Sequence, residues 1–191
     1  MQPMPRVPPL DRPATYEDLM KVPDILVAEI VEGELHASPR PAPRHSIAGS
    51  VLGGRLVPPF HEGRGGPGGW WILDEPELHF GGNVLVPDVA GWRRERMPHV
   101  PDTAYFSIPP DWICEILSPS TAQLDRAKKL AIYAREQVSF AWLIDPSLGT
   151  LEVLRLDGGR WTILGTHYGD EVVRAEPFAD IELALGALWA D

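Results

Sequence analysis

The sequence predicts an α/β (α+β) fold in which a sheet is covered by helices and extended by antiparallel hairpins. Three observations predict it. The middle of the chain carries short runs that are apolar on both faces, "WWIL", "DWICEIL" and "FAWLIDP", as strands buried between helical layers are. A helical pattern with Ser and Thr near its start, "SPSTAQLDRAKKLAIYAREQ", separates the last two. The C-terminal part, "TLEVLRLDGGRWTILGTHYGDEVVRAE", alternates with period two around "DGG", the mark of an antiparallel hairpin or meander.

Taken in order, residues 1–13 are proline-rich and read as a flexible arm before a single domain over 14–191. In "TYEDLMKV", Thr15 is followed three residues later by Asp18, a capping-box signal for a short helix from Thr15 to Lys21. "DILVAEIVEGELHAS" reads as two strands turning near Gly33, with Glu29 on the first. "HSIAGSVLGGRLVPPF" places Ile47, Val51, Leu52 and Leu56 at helical spacing, weakened by Gly53 and Gly54. "GRGGPGG" is a loop, because neither a preceding strand nor a following "GK" with Ser or Thr makes it a phosphate cradle. "ELHF" and "VLVPDVAGW" read as further strands, and the closing "IELALGALWAD" as a short amphipathic helix.

At 191 residues and 44% hydrophobic, the chain can bury one substantial core. No apolar run approaches the roughly 20 residues that span a bilayer, and prolines stand where a signal peptide needs apolar residues, so a soluble, cytoplasmic protein is expected. Cys114 is alone, which excludes an intrachain disulfide, and its apolar setting predicts a buried thiol. Seventeen basic against 27 acidic residues give a net charge of −10. That sign excludes holding nucleic acid by bulk electrostatics. Either the partner is something else, or local basic groups and bound metal overcome the field.

Two acids interrupt apolar strand patterns. Alternation along "VLVPDVAGW" puts Asp88 on one side with Val84 and Val86, and Glu115 in "DWICEIL" shares a face with Ile113 and Leu117. Each alone is equally a salt bridge or hydrogen bond at the margin of the core. Converging at the edge of a sheet, the two would suit a hard divalent cation such as Mg²⁺, which takes oxygen ligands and keeps several waters. In the helix that follows, Asp125, Lys129 and Tyr133 stand at i, i+4 and i+8, while Lys128 points about 100° away. Spacing alone also allows an ordinary Asp–Lys helical pair worth about 0.3 to 0.5 kcal/mol.

At these residues the chain resembles a family. "VAEIVEGEL", His45, "VPDVAGW", the block from Pro110 to Pro146 and "TLEVLRL" are similar to the Uma2 family, domain of unknown function 820, of the PD-(D/E)xK nuclease superfamily. The resemblance implies a restriction-endonuclease-like core, a central mixed sheet flanked by helices, and a metal-dependent endonuclease acting on DNA. It implies Asp88 and Glu115 as ligands of Mg²⁺ or Mn²⁺, with the Ile116 main-chain carbonyl as a further ligand. Leu117 stands where the superfamily pattern has lysine, and Lys129 matches the lysine that the family supplies from the following helix. Lys129 would orient the attacking water and balance transition-state charge. Glu29 matches an N-terminal glutamate that completes the acidic pocket, although a salt bridge at the margin reads as well. His45 matches a family position but reads as a surface or substrate contact, Asp125 as a group that steers Lys129, and Tyr133 as a secondary candidate. Seven tryptophans, together with the resemblance, suggest a homodimer. The competing reading, favoured by the charge, is a catalytically silent nuclease-fold module for binding or assembly in a mobile-element or defence system.

Overall fold

The computed structural model describes residues 10–190; the first nine residues of the proline-rich arm and the last residue of the chain lie outside them. Thr15 caps α1 (Tyr16–Leu19) reciprocally with Asp18, as the capping-box spacing predicts. Arg12 donates twice to the same Asp18 carboxylate, at 2.7 and 3.0 Å. β1 (Leu26–Val31) and β2 (Glu34–Pro39) form the expected hairpin through Glu32 and Gly33. β4 (Leu78–Phe80) and β5 (Asn83–Leu85) join them in a four-stranded sheet of order β2-β1-β5-β4.

The larger sheet takes β3 (Trp70–Asp74), β6 (Val89–Arg93), β7 (Trp112–Ile116), β8 (Phe140–Asp145), β9 (Thr150–Asp157) and β10 (Arg160–Tyr168). Its order is β10-β9-β8-β7-β6-β3. The β7–β8 pair is parallel and the other pairs antiparallel, so the sheet is mixed, as the resemblance implies. A parallel pair needs a crossover. It is built from α3 (Ala122–Leu124), a π-helical turn over Asp125–Lys129, and α4 (Leu130–Arg135). β9 and β10 turn through Gly158 and Gly159, both at positive φ, the backbone that tight hairpin turns require.

Helices cover both faces of this sheet. On one, α2 (Pro43–Leu56) buries Ala48, Leu52 and Leu56 with Trp70, Trp112 and Trp142. On the other, Leu130, Ile132 and Tyr133 of α4 pack on Ala90, Trp92 and Ile113. Gly91 of β6 leaves room on the α2 face, since a Cβ there would come within 3.1 to 3.2 Å of Ile72, Trp112 and Trp70. Trp70, Trp92, Trp112 and Trp142 are buried, and Trp71, Trp161 and Trp189 pack against the same core. Four of the seven tryptophans are thus buried core residues, and the other three are partly buried against it. Cys114 is buried as expected. Among the described residues no helix is long and apolar enough to cross a membrane.

Two elements differ from the sequence expectation. "VLVPDVAGW" is not one strand: β5 ends at Leu85, β6 begins at Val89, and the two belong to different sheets. Pro87 has no N–H to give a ladder, so the chain leaves one sheet there and enters the other. The alternation that grouped Asp88 with Val84 and Val86 therefore does not apply. The closing helix is also replaced. Leu183–Ala184 form β12, paired with β11 (Val172–Val173), and only Leu185–Leu188 turn, as a 3-10 helix. Pairing with β11 captures the first half of the segment, and Gly186 weakens the rest as an α-helix.

Candidate active site

The gap between the two sheets leaves backbone donors that no ladder satisfies, and site carboxylates accept from them. Val86 N–H donates to Glu29 Oε1 at 2.8 Å. Ile116 N–H, at the end of β7, donates to Asp88 Oδ2 at 2.6 Å. This explains the acid among apolar residues in local terms, because β6 pairs with β7 only as far as Val89 opposite Cys114, and the Asp88 carboxylate accepts from the Ile116 N–H beyond that point.

Lys129 arrives from the π turn and is 2% exposed. Its ammonium lies 2.9 Å from Glu29 Oε1, 2.9 Å from Glu115 Oε1 and 3.4 Å from Asp125 Oδ1. Tyr133 donates its hydroxyl to Glu115 Oε1 at 2.6 Å. Glu29, Glu115 and Asp125 are all buried. The helical alignment of Asp125, Lys129 and Tyr133 thus faces the sheet acids, and Glu29 is an interior partner of Lys129, not a marginal one. Lys128 points elsewhere, to Glu34 at 2.6 Å.

Burial and the surrounding acids act on these groups together. Desolvation pushes the Glu115 carboxyl well above its usual range, Lys129 opposes this, and Asp125, Asp88 and Glu29 add to it. Asp125 is raised in the same way, first by burial. Burial works against the charge on Lys129, but Glu115 and Glu29 outweigh it and hold the ammonium well above its ordinary pKa. Three carboxyl groups thus surround one ammonium, and a further cation among them would favour the ionised forms that burial opposes.

Asp88 and Glu115 open on one cavity of about 340 Å³, together with Glu29, His45, Asp125 and Lys129. A second cavity of about 530 Å³ runs along α2 and shares Pro41, His45, Glu75, Asp88 and Ile116 with the first. His45, read as a surface or substrate contact, lines both cavities. It is half-buried in the first turn of α2, with Nε2 3.1 Å from Asp88 Oδ1. Burial disfavours its protonation, but Asp88 and the Ile116 backbone outweigh this and raise its pKa.

The donor set suits a hard cation. Asp88 and Glu115, two carboxylates of one cavity, offer the oxygen ligands that such a cation takes. Among the described residues no group of three His, Cys, Asp or Glu side chains could hold a metal ion as a ready cage. Two carboxylates with the balance of ligands from water is the arrangement Mg²⁺ favours. Sequence reasoning missed Glu75 and Arg40, which line the same cavity. Glu75 stands at the end of β3 in the left-handed region, at φ +44°. No local pattern marks either residue.

The comparisons with known proteins agree with one another. The Uma2 family pattern, described as "Putative restriction endonuclease", matches residues 13–186. Among solved structures, the chain is similar to that of a putative nuclease belonging to DUF820 from Anabaena variabilis ATCC 29413. The two share 26% identity over 93% of this chain and 98% of that one, with a TM-score of 0.73. No curated protein matches the sequence.

Proposed function

The chain belongs to the Uma2 family, and from that premise we propose that it is a metal-dependent endonuclease that hydrolyses DNA phosphodiester bonds. The observation that carries the reading is the convergence of Asp88, Glu115 and Lys129 on one cavity, the lysine coming from the helix after β7 and not from the strand.

Mg²⁺ or Mn²⁺, held by Asp88, Glu115 and the Ile116 carbonyl, would polarise a phosphoryl oxygen and lower the pKa of the attacking water. The chain's own groups do the positioning. Lys129 places a fixed positive charge where negative charge grows on the phosphoryl group, in a site where water does not screen it. Glu29 and Asp125 hold that ammonium in place from two sides. Tyr133 fixes the Glu115 carboxylate, and His45 with the Ile116 N–H fixes that of Asp88.

The net charge of −10 and the complete engagement of Lys129 by carboxylates favour the second reading, a silent nuclease-fold module. One experiment separates them. With Mg²⁺ or Mn²⁺ the protein should cut DNA, and Asp88→Ala and Glu115→Gln should each lower the rate on the order of 10²-fold or more. Lys128→Ala, whose side chain lies on Glu34, should stay within a few fold. If supercoiled, linear and single-stranded DNA all remain intact with either metal and calorimetry detects no cation binding, the silent module takes the place of the nuclease.

A further inference from the structure

The two cavities that meet at Asp88 form one groove with an accessible arginine on either side. Arg40 lines the part that holds Glu115 and Lys129, and Arg64 lines the part along α2. Their side chains are 58% and 73% exposed. Arg40 donates to the Asp24 main-chain carbonyl at 2.9 Å with Glu75 at 3.9 Å, and Arg64 is bonded to the Glu62 carboxylate. Exposed pairs of this kind contribute little to stability and are readily exchanged for a stronger partner. Glu75 lies in both parts of the groove, and its backbone N–H donates to Asp88 O at 3.0 Å. A non-glycine residue at φ +44° is uncommon, and here it holds a carboxylate over the junction.

We propose that Arg40 and Arg64 are the phosphate contacts on either side of the scissile bond, and that the groove takes one unpaired DNA strand. The Asp24 carbonyl, with the Glu75 charge nearby, holds Arg40 and Glu62 holds Arg64 until phosphates replace them. The inference rests on the nuclease reading and adds to it the substrate class and the residues that grip it.

Guanidinium offers a planar fork that matches phosphate oxygens, which makes arginine the suited residue for this contact. On the α2 side the groove wall is low. Gly53 and Gly54 line it, and a Cβ on Gly54 would meet nothing within 4 Å, so a backbone can approach closely. The charge of the walls selects against a duplex. Glu62, Asp74 and Glu75 surround the groove of a chain whose net charge is −10. A duplex brings one phosphate charge per roughly 1.7 Å of axis, against about 3.4 Å along one strand. Two local arginines can offset the sparser charge of a single strand, while the second strand of a duplex meets acid.

The test measures binding of fluorescein-labelled unpaired and duplex oligonucleotides by anisotropy, without divalent cation, and cleavage with Mn²⁺ in parallel. The unpaired strand should bind more tightly. Arg40→Ala and Arg64→Ala should each weaken it several-fold, reduce the slope of log affinity against log salt by about 0.7, and raise KM with kcat nearly unchanged. Glu75→Gln should tighten binding. Arg155→Ala, which removes an exposed arginine beside Asp157 on β9, should behave as wild type. Tighter binding of duplex, or arginine variants that keep the wild-type KM and salt slope while DNA is still cleaved, overturns this inference and leaves the nuclease reading standing. If the wild type neither binds nor cleaves any DNA, the nuclease reading fails and this inference falls with it.

Discussion

Lys129 is the residue on which the interior charge balance turns. Removing one partner of a buried ion pair leaves an uncompensated charge, which typically costs about 3 to 5 kcal/mol. Lys129→Met should therefore lower stability by that order in urea denaturation, and an unchanged midpoint would show that the cluster does not hold the charges assigned to it. Asp125 contributes with the opposite sign. Burial raises its carboxyl above the ordinary 3.8, so the native state binds its proton to higher pH than the unfolded chain does. Ionisation of Asp125 then reduces stability as pH rises from near 4 through the raised value. Asp125→Asn should accordingly gain in melting temperature relative to wild type between pH 4 and pH 7 in metal-free buffer; a gain that grows toward acid pH would reject the argument. Cys114 offers a third check. Its thiol is raised well above 9.0, first by burial and then by Asp88 and Glu115, so a thiol reagent should label it only at the rate of global unfolding. Asp88 and Glu115 were legible in the sequence because a charge amid apolar residues is costly and therefore conspicuous. His45 was legible only through the resemblance and Glu75 not at all, since neither a histidine at a helix start nor a glutamate before a proline costs anything until the fold brings it beside Asp88.

At the scale of elements, the crossover helix shows where a periodic reading loses information. A regular α-helix places Asp125, Lys129 and Tyr133 along one side, and this much was foreseen. The π turn over Asp125–Lys129 accommodates an additional residue, so that Leu124 and Leu130 both pack on the same core while Asp125 and Lys129 both reach the acids. Such turns occur often at functional sites, but five residues are too few for a sequence pattern to distinguish a period of 3.6 from a wider one. Deleting the exposed Ala127 should restore regular helix, bring Asp125 and Lys129 from four residues apart to three, and shift the ammonium relative to Glu29 and Glu115. Far-UV circular dichroism should keep its helical signal while cleavage is lost, and retained activity would show that the π turn has no part in the site. The strand break at Val86–Asp88 was legible in principle, because Pro87 argues against a continuous central strand; the apolar run around it masked the signal. The hairpins at Gly33 and Gly158 and the strands of the large sheet other than β6 were read nearly to their ends, since turn glycines and doubly apolar runs report local geometry directly.

For the molecule as a whole, the small sheet packs on the large one through a shared core in which Val31, Leu78, Phe80 and Leu85 meet Ala90, Trp92 and Ile113, and Lys129 binds a carboxylate from each: Glu29 of β1 and Glu115 of β7. The same ammonium also approaches Val86 O, at 3.5 Å, in the segment that joins the sheets. A group placed for chemistry is therefore also a fastener, and that has a consequence for how the protein breathes. Amide hydrogen exchange should resolve two cooperative units, with β1 and β2 opening at lower free energy than the central β7 and β8. Lys129→Met should lower protection in β1 and β2 more than in β7 and β8, whereas an equal loss in both would mean that the sheets open as one. When the small unit opens it carries Glu29 away from Lys129, so the protection factor of the β1 amides reads out, in the absence of any substrate, the fraction of time in which the site is assembled.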